Sequence, residues 1–213
     1  MTLATALGLA IALGGTALAD KTKEATAEID KKAPVFSLTD AAGEEHSLGD
    51  FEGKYVVLEW TNMDCPFVRK HYDSGNMQSL QNAYAEKDVV WLRICSSAPG
   101  QQGHMESDVL EKRIDEEKSM ATAYLIDADG AVGRMYGAKT TPHMFVIDGE
   151  GTLIYAGGID NIKSKDQADI EKATNYVSSC LDAAIAGKPI ETKTSVPYGC
   201  SVKYAKKAKS TSY

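Results

Sequence analysis

Two continuous apolar runs dominate the pattern of the chain. "YVVLEW" (55–60) and "VVWLRIC" (89–95) have the length of strands, and such runs are typical of central strands that are buried on both faces. Between them, a helix is predicted to begin at Pro66, to be interrupted near "DSGN" and to continue through Leu80 and Tyr84. This unit of strand, helix and strand predicts two parallel strands joined by a right-handed crossover.

The second half of the chain alternates shorter apolar runs with turns. A charged helix, "SDVLEKRIDEEKSM", is followed by the strand "AYLID" and a short helix around "AVGRMYG". "MFVID" and "TLIYAGG" flank the turn "GEG", which predicts an antiparallel hairpin. A capping box of Ser164 with Gln167 predicts the start of the last helix. Its apolar face consists of Ile170, Ala173, Val177, Leu181 and Ala184. We therefore expect an α/β sandwich with a central mixed β-sheet flanked by helices.

Composition narrows the possible functions only slightly. The chain has 213 residues, of which 43% are apolar and 25% are charged, as is typical of a globular domain. The formal net charge of -7 argues against a protein that binds nucleic acid. We see no internal repeat and no second domain.

The first 19 residues have the composition of a secretory signal peptide. An uncharged apolar core is followed by small residues that end in "ALA" before Asp20. The segment is too short for a stable membrane span. We therefore expect cleavage after Ala19 and a periplasmic or secreted protein. Its parts would be a flexible lead-in (20–32), one globular domain (33–188) and a C-terminal tail (189–213).

Cys65 stands at the junction between the first central strand and the predicted helix, in "WTNMDCPFVRKHY". Proline is favoured at the first helical position, so Cys65 falls at or beside the N-cap. The partial positive charge and free N–H groups of a helix N-terminus stabilise a thiolate. Arg69 and Lys70 would add to this effect, and Asp64 would oppose it. Because ligand sites in open α/β sheets lie at the carboxyl ends of strands, we expect a reactive thiol.

The order of elements, with "VVLEWTNMDCPFV" at this junction and "TTPHMFVID" before the hairpin, resembles the thioredoxin fold. The opening "PVFSLTDAAGEEHSLGDFEGKYVVLEW" is similar to the redoxin branch, the alkyl hydroperoxide reductase/thiol-specific antioxidant family. The resemblance implies a thioredoxin-like sandwich over residues 33–188, with Cys65 as the nucleophile and Pro142 as a cis-proline that faces it. It also implies that Thr141 offers its backbone to an extended substrate. We expect Trp60 to help wall the substrate site.

The chain departs from both active-site patterns of that branch. Val68 stands where a CxxC motif has its second cysteine, so a local dithiol is impossible. In the peroxidase pattern PxxxTxxC, the proline position is Leu58 and the threonine position is Asn62. The second thiol of any reaction must therefore come from a distant part of the chain or from another molecule.

Three cysteines are possible partners of Cys65. Cys180 lies on the apolar stripe of the last helix and is predicted to be a core residue. Cys95 ends the second central strand, whose carboxyl end would lie beside that of the first. Cys200 lies beyond the last helix, in "SVPYGCSVKY". Some proteins of the redoxin branch place a resolving cysteine near the C-terminus. We rank Cys200 first; Cys95 and an external thiol stay open.

These features together predict an exported thiol-disulfide oxidoreductase. Cys65 would attack a disulfide, and Cys200 would resolve the mixed disulfide. The partners would be a protein or small-molecule disulfide and an external thiol reductant, with no cofactor. An alternative is a thiol-dependent peroxidase in which Cys65 is the peroxidatic cysteine.

A third possibility is a thioredoxin-like module that binds Cu(I). Soft sulfur ligands and imidazole suit this ion, and four side chains could converge beside the proline loop: Met63, Cys65, His143 and Met144. The other histidines that we considered, His71 and His104, are expected to be exposed polar residues.

Overall fold

The computed structural model describes residues 26–206, so the predicted signal peptide lies outside the described residues. The strands are β1 (Ser37–Asp40), β2 (Glu45–Ser47), β3 (Tyr55–Trp60), β4 (Val89–Cys95), β5 (Ala123–Ile126), β6 (Thr140–Thr141), β7 (His143–Ile147), β8 (Leu153–Gly157) and β9 (Cys200–Ser201). The helices are α1 (Pro66–Asp73), α2 (Asn76–Ala85), α3 (Ser107–Glu117), α4 (Ala131–Met135) and α5 (Tyr176–Ile185).

Seven strands form a mixed sheet in the order β2-β1-β5-β4-β3-β7-β8. The pairs β3–β4 and β4–β5 are parallel, whereas β7 runs antiparallel to both β3 and β8. The continuous apolar runs 55–60 and 89–95 are the two central parallel strands, because burial on both faces requires apolar residues at successive positions. The predicted mixed sheet, the crossover unit and the hairpin are therefore confirmed.

The two faces of the sheet bury separate apolar clusters. Val57 of β3 faces the cluster that α1, α2 and α5 cover. Val56, Leu58 and Trp60 point the other way, against α4 and the turn that contains Leu48. Alternation along β3 produces this division, since successive side chains of a strand point to opposite faces. Helices thus flank the sheet on both sides.

The start of the last helix was predicted wrongly. It begins at Tyr176, with the side chain of Asn175 accepting a hydrogen bond from the Ser178 N–H, well beyond Ser164. Ser164 instead donates its hydroxyl to Asp169 at 2.8 Å. Hydrogen bonds between Asn161 and Thr174 close residues 161–174 into a loop, and only then does the helix start. Val177 and Leu181 of the predicted stripe are buried as expected.

Segments before and after the sandwich lie against it. Ala27 donates its N–H to Met135 O, and Asp30 donates its N–H to Leu153 O. After α5, the chain runs back along β8, where Ala156 and Thr194 form a bridge, and reaches the carboxyl end of the central strands. Within residues 26–206, the helices are all too short or too polar to cross a bilayer.

Candidate active site

Cys65 is the N-cap residue of α1, and Pro66 occupies the first helical position, as predicted. The turn before the helix is built on Asn62, whose carbonyl accepts the N–H of Cys65 at 2.9 Å and whose side chain accepts the N–H of Asp64 at 2.9 Å. The thiol of Cys65 donates to the carbonyl oxygen of Thr141 at 3.0 Å. Cys65 is completely buried, with 0% relative exposure.

The segment opposite Cys65 is β6, and a cis peptide bond joins its last residue, Thr141, to Pro142. β6 pairs in antiparallel register with β9, so that Thr141 faces Cys200. Gly199, at φ +143°, allows this approach, because a Cβ atom at this position would overlap the carbonyl of Thr141. The C-terminal tail of the chain therefore occupies the backbone face where the resemblance implied an extended substrate.

Cys65 and Cys200 are close enough to affect each other's acidity, and they differ in pKa. Burial raises the pKa of the Cys65 thiol, but hydrogen bonds from Thr141 and Cys200 outweigh that effect and hold the pKa below its usual value. The Thr141 hydroxyl is buried without a hydrogen-bond partner among residues 26–206, so it is available to donate to a Cys65 thiolate. Burial, followed by the contact with Cys65, raises the pKa of Cys200 to about 11. Cys65 is therefore the stronger acid of the pair.

The charged neighbours of Cys65 in sequence do not act as expected. Arg69 forms an ion pair with Asp73 at 3.0 Å, and Lys70 lies 3.6 Å from a carboxylate oxygen of Asp160. Asp64 pairs with Arg113 at 3.3 Å. Each charge is thus directed to another partner. Hydrogen bonds to the sulfur lower the pKa of Cys65. Part of this effect comes from the backbone N–H of Val68 in the first turn of α1.

The other two cysteines have different surroundings from this pair. Cys95 ends β4 as predicted, but its thiol points to the Gly103 carbonyl at 3.4 Å and packs with Tyr124. Cys180 is buried on α5, and burial raises its pKa to about 12. Of the described cysteines, Cys200 is therefore the thiol that the fold brings to Cys65.

Contacts on both sides of Cys200 hold the tail across the sheet. Before it, the Tyr198 hydroxyl donates to Asp160 at 2.5 Å. After it, Val202 donates its N–H to Lys139 O at 3.1 Å, and Ala98 donates its N–H to Lys203 O at 2.9 Å. The hydroxyl of Tyr204 donates to Ala138 O at 2.9 Å. The position of Cys200 is therefore defined by elements on each side of Cys65.

The expectation that His71 is exposed is wrong. His71 is 1% exposed and lies with Lys70 and Asp160 behind α1, and Tyr198 reaches this cluster from the tail. Burial lowers the pKa of His71 to about 4, so the imidazole is neutral near pH 7. Sequence reasoning missed this cluster of polar residues. Its one signal was an aromatic residue, Tyr198, two positions before Cys200.

Trp60 packs in the core on the other face of the sheet from the cluster that contains Cys65. Its indole N–H donates to Ser96 Oγ at 3.0 Å, and Ser96 donates to Asp127 at 2.5 Å. Trp60 therefore supports the strand that leads to the site and lies away from the Cys65 thiol.

A second buried polar network lies behind α1. The carboxylate of Glu59, with 0% exposure, accepts hydrogen bonds from Tyr72 at 3.0 Å and from the Trp91 indole at 2.9 Å. Arg93 stacks over the Tyr72 ring at 4.1 Å and lies 2.9 Å from Glu117. These contacts attach α1 and α3 to the central strands and so fix the position of the helix that carries Cys65.

The four side chains considered for Cu(I) do not form one site in the described structure. Met63 packs with Cys95 in a cluster separate from that of Cys65 and Met144. His143 and Met144 are successive residues of β7 and point to opposite faces. A different group of potential ligands, Asp40, Glu44 and His46, lies on the β1–β2 hairpin. His46 is hydrogen-bonded to Asp40 at 2.9 Å, so contacts within the hairpin explain why these side chains lie together.

Comparison with known proteins shows the family of this chain. The model of the AhpC/TSA family matches residues 29–156. The thiol-disulfide oxidoreductase ResA of Bacillus thuringiensis is 29% identical over 153 residues, which are 72% of this chain and 83% of that protein. The thioredoxin-like protein YneN of Bacillus subtilis is 27% identical over 157 residues, which are 70% of this chain and 84% of that protein.

Solved structures show the same fold. An uncharacterized conserved protein of Geobacillus kaustophilus superposes with a TM-score of 0.76 at 26% identity, covering 85% of this chain and 94% of that one. A hypothetical protein of Sinorhizobium meliloti gives a TM-score of 0.71 at 24% identity, covering 84% of this chain and 96% of that one. Neither description names an activity. The predicted thioredoxin-like fold is confirmed.

Proposed function

Because the chain belongs to the AhpC/TSA family, we propose that it is a thiol-disulfide oxidoreductase in which Cys65 is the nucleophile and Cys200 the resolving thiol. The observation that carries this proposal is the contact between the two thiols beside the cis Thr141–Pro142 bond. The name of the ResA relative supports the reaction class. The substrate would be a disulfide, and an external thiol would restore the reduced protein.

The acidities of the two thiols favour this order of attack. The Cys65 thiolate attacks one sulfur of a substrate disulfide, a bond forms between Cys65 and that sulfur, and the other sulfur leaves as a thiolate. Cys200 then loses its proton and attacks Cys65 Sγ, which releases the second substrate thiolate and leaves a Cys65–Cys200 disulfide. Two external thiols reduce this disulfide and are themselves oxidised to a disulfide.

Trapping of the mixed disulfide tests this assignment. In a Cys200→Ser variant, the second step is blocked, so substrates should accumulate on Cys65 and be released by reductant. A Cys65→Ser variant is the matched control and should capture none. If Cys200→Ser captures no more disulfide-linked substrate than Cys65→Ser does, the assignment of Cys65 as nucleophile is wrong.

A peroxidase is the second candidate, and the burial of Cys65 under the tail favours it. A hydroperoxide is small enough to reach a covered thiol more readily than a folded protein can. The Cys65 thiolate would attack one peroxide oxygen to give a sulfenic acid and an alcohol or water; condensation with Cys200 would then form the disulfide and release water. Reaction of Cys65 with hydrogen peroxide no faster than that of a free thiol would exclude this candidate.

We also propose that the protein works outside the cytoplasm, in the periplasm or after secretion. The support is the apolar leader of residues 1–19 with its small residues before Asp20. Mass spectrometry of the protein from an exporting host should give a mature chain that begins at Asp20. Recovery of the unprocessed chain from the cytoplasm would contradict this proposal.

A further inference from the structure

One buried carboxylate contacts polar groups from three segments of the chain. Asp160, which is 4% exposed, accepts the Tyr198 hydroxyl at 2.5 Å and the Ile162 N–H at 2.9 Å on the same oxygen. Its other oxygen lies 3.6 Å from Lys70 Nζ and 3.8 Å from His71 Nε2. The side chain of Lys70 is itself fully buried, so the two opposite charges have little competition from water.

The partners of this carboxylate are neighbours of the two cysteines. Lys70 lies on α1, the helix that begins directly after Cys65. Tyr198 is separated from Cys200 by Gly199 alone. The ring of Tyr198 also packs edge-on against Phe67 of α1, with ring centroids 5.9 Å apart. Asp160 therefore joins the element that presents one sulfur to the element that presents the other.

We propose that Asp160 and Tyr198 are positioning residues that hold Cys200 against Cys65, a pair of side chains that we call the latch. This contact is strong, because a hydrogen bond to a buried carboxylate is stronger than one between neutral groups. On the other side of Cys200, the tail is held by neutral acceptors: the carbonyls of Lys139 and Ala138. The latch is thus the hydrogen bond to a carboxylate in the segment next to Cys200; further along, Arg134 contacts the tail at the Tyr204 ring and at Ala205 O.

The latch has opposite effects on the two steps of the reaction; this consequence rests on the proposed function. While it is closed, β9 covers the Thr141 edge and Cys65 is buried, so a substrate has no access. The same closed state keeps Cys200 beside Cys65, ready for the second step. Opening the latch should therefore make Cys65 easier to reach and slow its resolution. A general loss of stability would not separate the two steps in this way.

The substitution Tyr198→Phe tests the latch with little risk to folding. It removes the hydroxyl, keeps the ring against Phe67, and leaves the Ile162 N–H on Asp160. The matched control is Tyr84→Phe, which removes a hydroxyl of α2 that donates to Ser178 O of α5 at 3.2 Å. Both substitutions are also made in a Cys200→Ser protein, so that Cys65 is measured without disulfide formation.

The first measurement is the rate at which Cys65 is alkylated in the reduced Cys200→Ser protein. Tyr198→Phe should raise it about tenfold, the expected effect of losing one hydrogen bond to a charged acceptor. The control should stay within about twofold, as is usual for a change away from the affected contact. This experiment needs no catalytic turnover, so the latch can be upheld even if the proposed oxidoreductase activity fails.

The second measurement is the equilibrium between the reduced thiols and the Cys65–Cys200 disulfide in glutathione buffers. Tyr198→Phe should weaken the disulfide about tenfold, which raises the reduction potential by about 30 mV. The latch is refuted if Tyr198→Phe changes neither the alkylation rate nor this equilibrium. It is equally refuted if Tyr84→Phe changes both by the same factor.

Discussion

Cys65 and Cys180 are buried in the same apolar cluster and nevertheless differ in chemistry. Their exposures are 0% and 1%, and burial raises the pKa of both thiols. At Cys180 the charge of Lys193 opposes burial only weakly, so the pKa still rises to about 12. At Cys65, hydrogen bonds from Thr141, Cys200 and Val68 reverse the direction. Donors directed at the sulfur, and not exposure, therefore distinguish the thiol with the lowered pKa from the thiol with the raised pKa.

The largest difference should appear when each cysteine is removed. Cys65→Ser should lower the rate of disulfide exchange by roughly a thousandfold or more, since it removes the proposed nucleophile. Cys180→Ala should leave the rate within about twofold and reduce the free energy of unfolding by about 1 kcal/mol. Reduction of a small aromatic disulfide and urea unfolding measure the two quantities. An equal loss of activity in Cys180→Ala would remove the distinction between the two thiols.

A substitution in the tail should affect Cys65 and spare Cys180. In Gly199→Ala, the added methyl group would overlap the carbonyl of Thr141, so β9 must move away from β6. Overpacking of this kind costs about 1–3 kcal/mol, and we expect the equilibrium for the Cys65–Cys200 disulfide to fall about tenfold or more. Redox titration followed by peptide mapping gives this value.

Gly187→Ala is the control for that experiment. Gly187 also has a positive φ, of +65°, but a Cβ there would meet open space in the described part of the chain. It should cost about 1 kcal/mol of stability through backbone strain and leave the disulfide equilibrium unchanged. If both variants shift the disulfide equally, strain in the tail is the cause and not the contact with Thr141.

Removal of one donor should shift Cys65 towards the behaviour of Cys180. Thr141→Val keeps the shape of the side chain and deletes the hydroxyl that lowers the pKa of Cys65, so that pKa should rise. Thr140→Val is the control, because its hydroxyl donates to Pro142 O at 3.1 Å. Thiolate absorbance as a function of pH, in the Cys200→Ser protein, measures the shift. An unchanged titration in Thr141→Val would mean that the backbone donors suffice.

The smallest effect concerns His71, whose pKa shift is dominated by burial, as is that of Cys180. Burial lowers the pKa of His71 to about 4 from 6.5, so between these values the unfolded chain binds a proton that the folded chain does not. The stabilisation is complete above about pH 6.5 and is lost as the pH falls towards 4. Urea unfolding at several pH values should give a shallower acid loss for His71→Gln. An identical slope in both proteins would contradict this assignment.

The position of Cys65 could be predicted because its determinants are local. An apolar strand run, a proline at the first helical position and the helix that follows are all written in residues 55–73, and α1 begins where they indicate. The parallel pairing of β3 with β4 and the hairpin of β7 with β8 followed from the same kind of pattern, since parallel crossovers and hairpins have few alternatives. The predicted start of the last helix is wrong because Ser164 only matches a cap motif in the sequence. In the structure its hydroxyl donates to Asp169.

What surrounds Cys65 depends on residues that are distant in sequence. The sequence around His71 predicts an exposed helical residue, and nothing near it in the chain indicates that it is buried beside Asp160. The register that sets Cys200 opposite Thr141 arises from pairing across the fold, together with a glycine that permits the approach.

The α/β sandwich, the helix start at Pro66 and the place of Cys65 at that start can be read from the chain, because periodicity and capping act over a few residues. Which cysteine meets Cys65, which donors lower its pKa and which carboxylate holds the tail emerge only in the folded molecule. Those outcomes depend on hydrogen bonds between segments that come together only when the sheet is assembled. The energy of such hydrogen bonds depends on their burial and their geometry, which cannot be inferred from a short stretch of sequence.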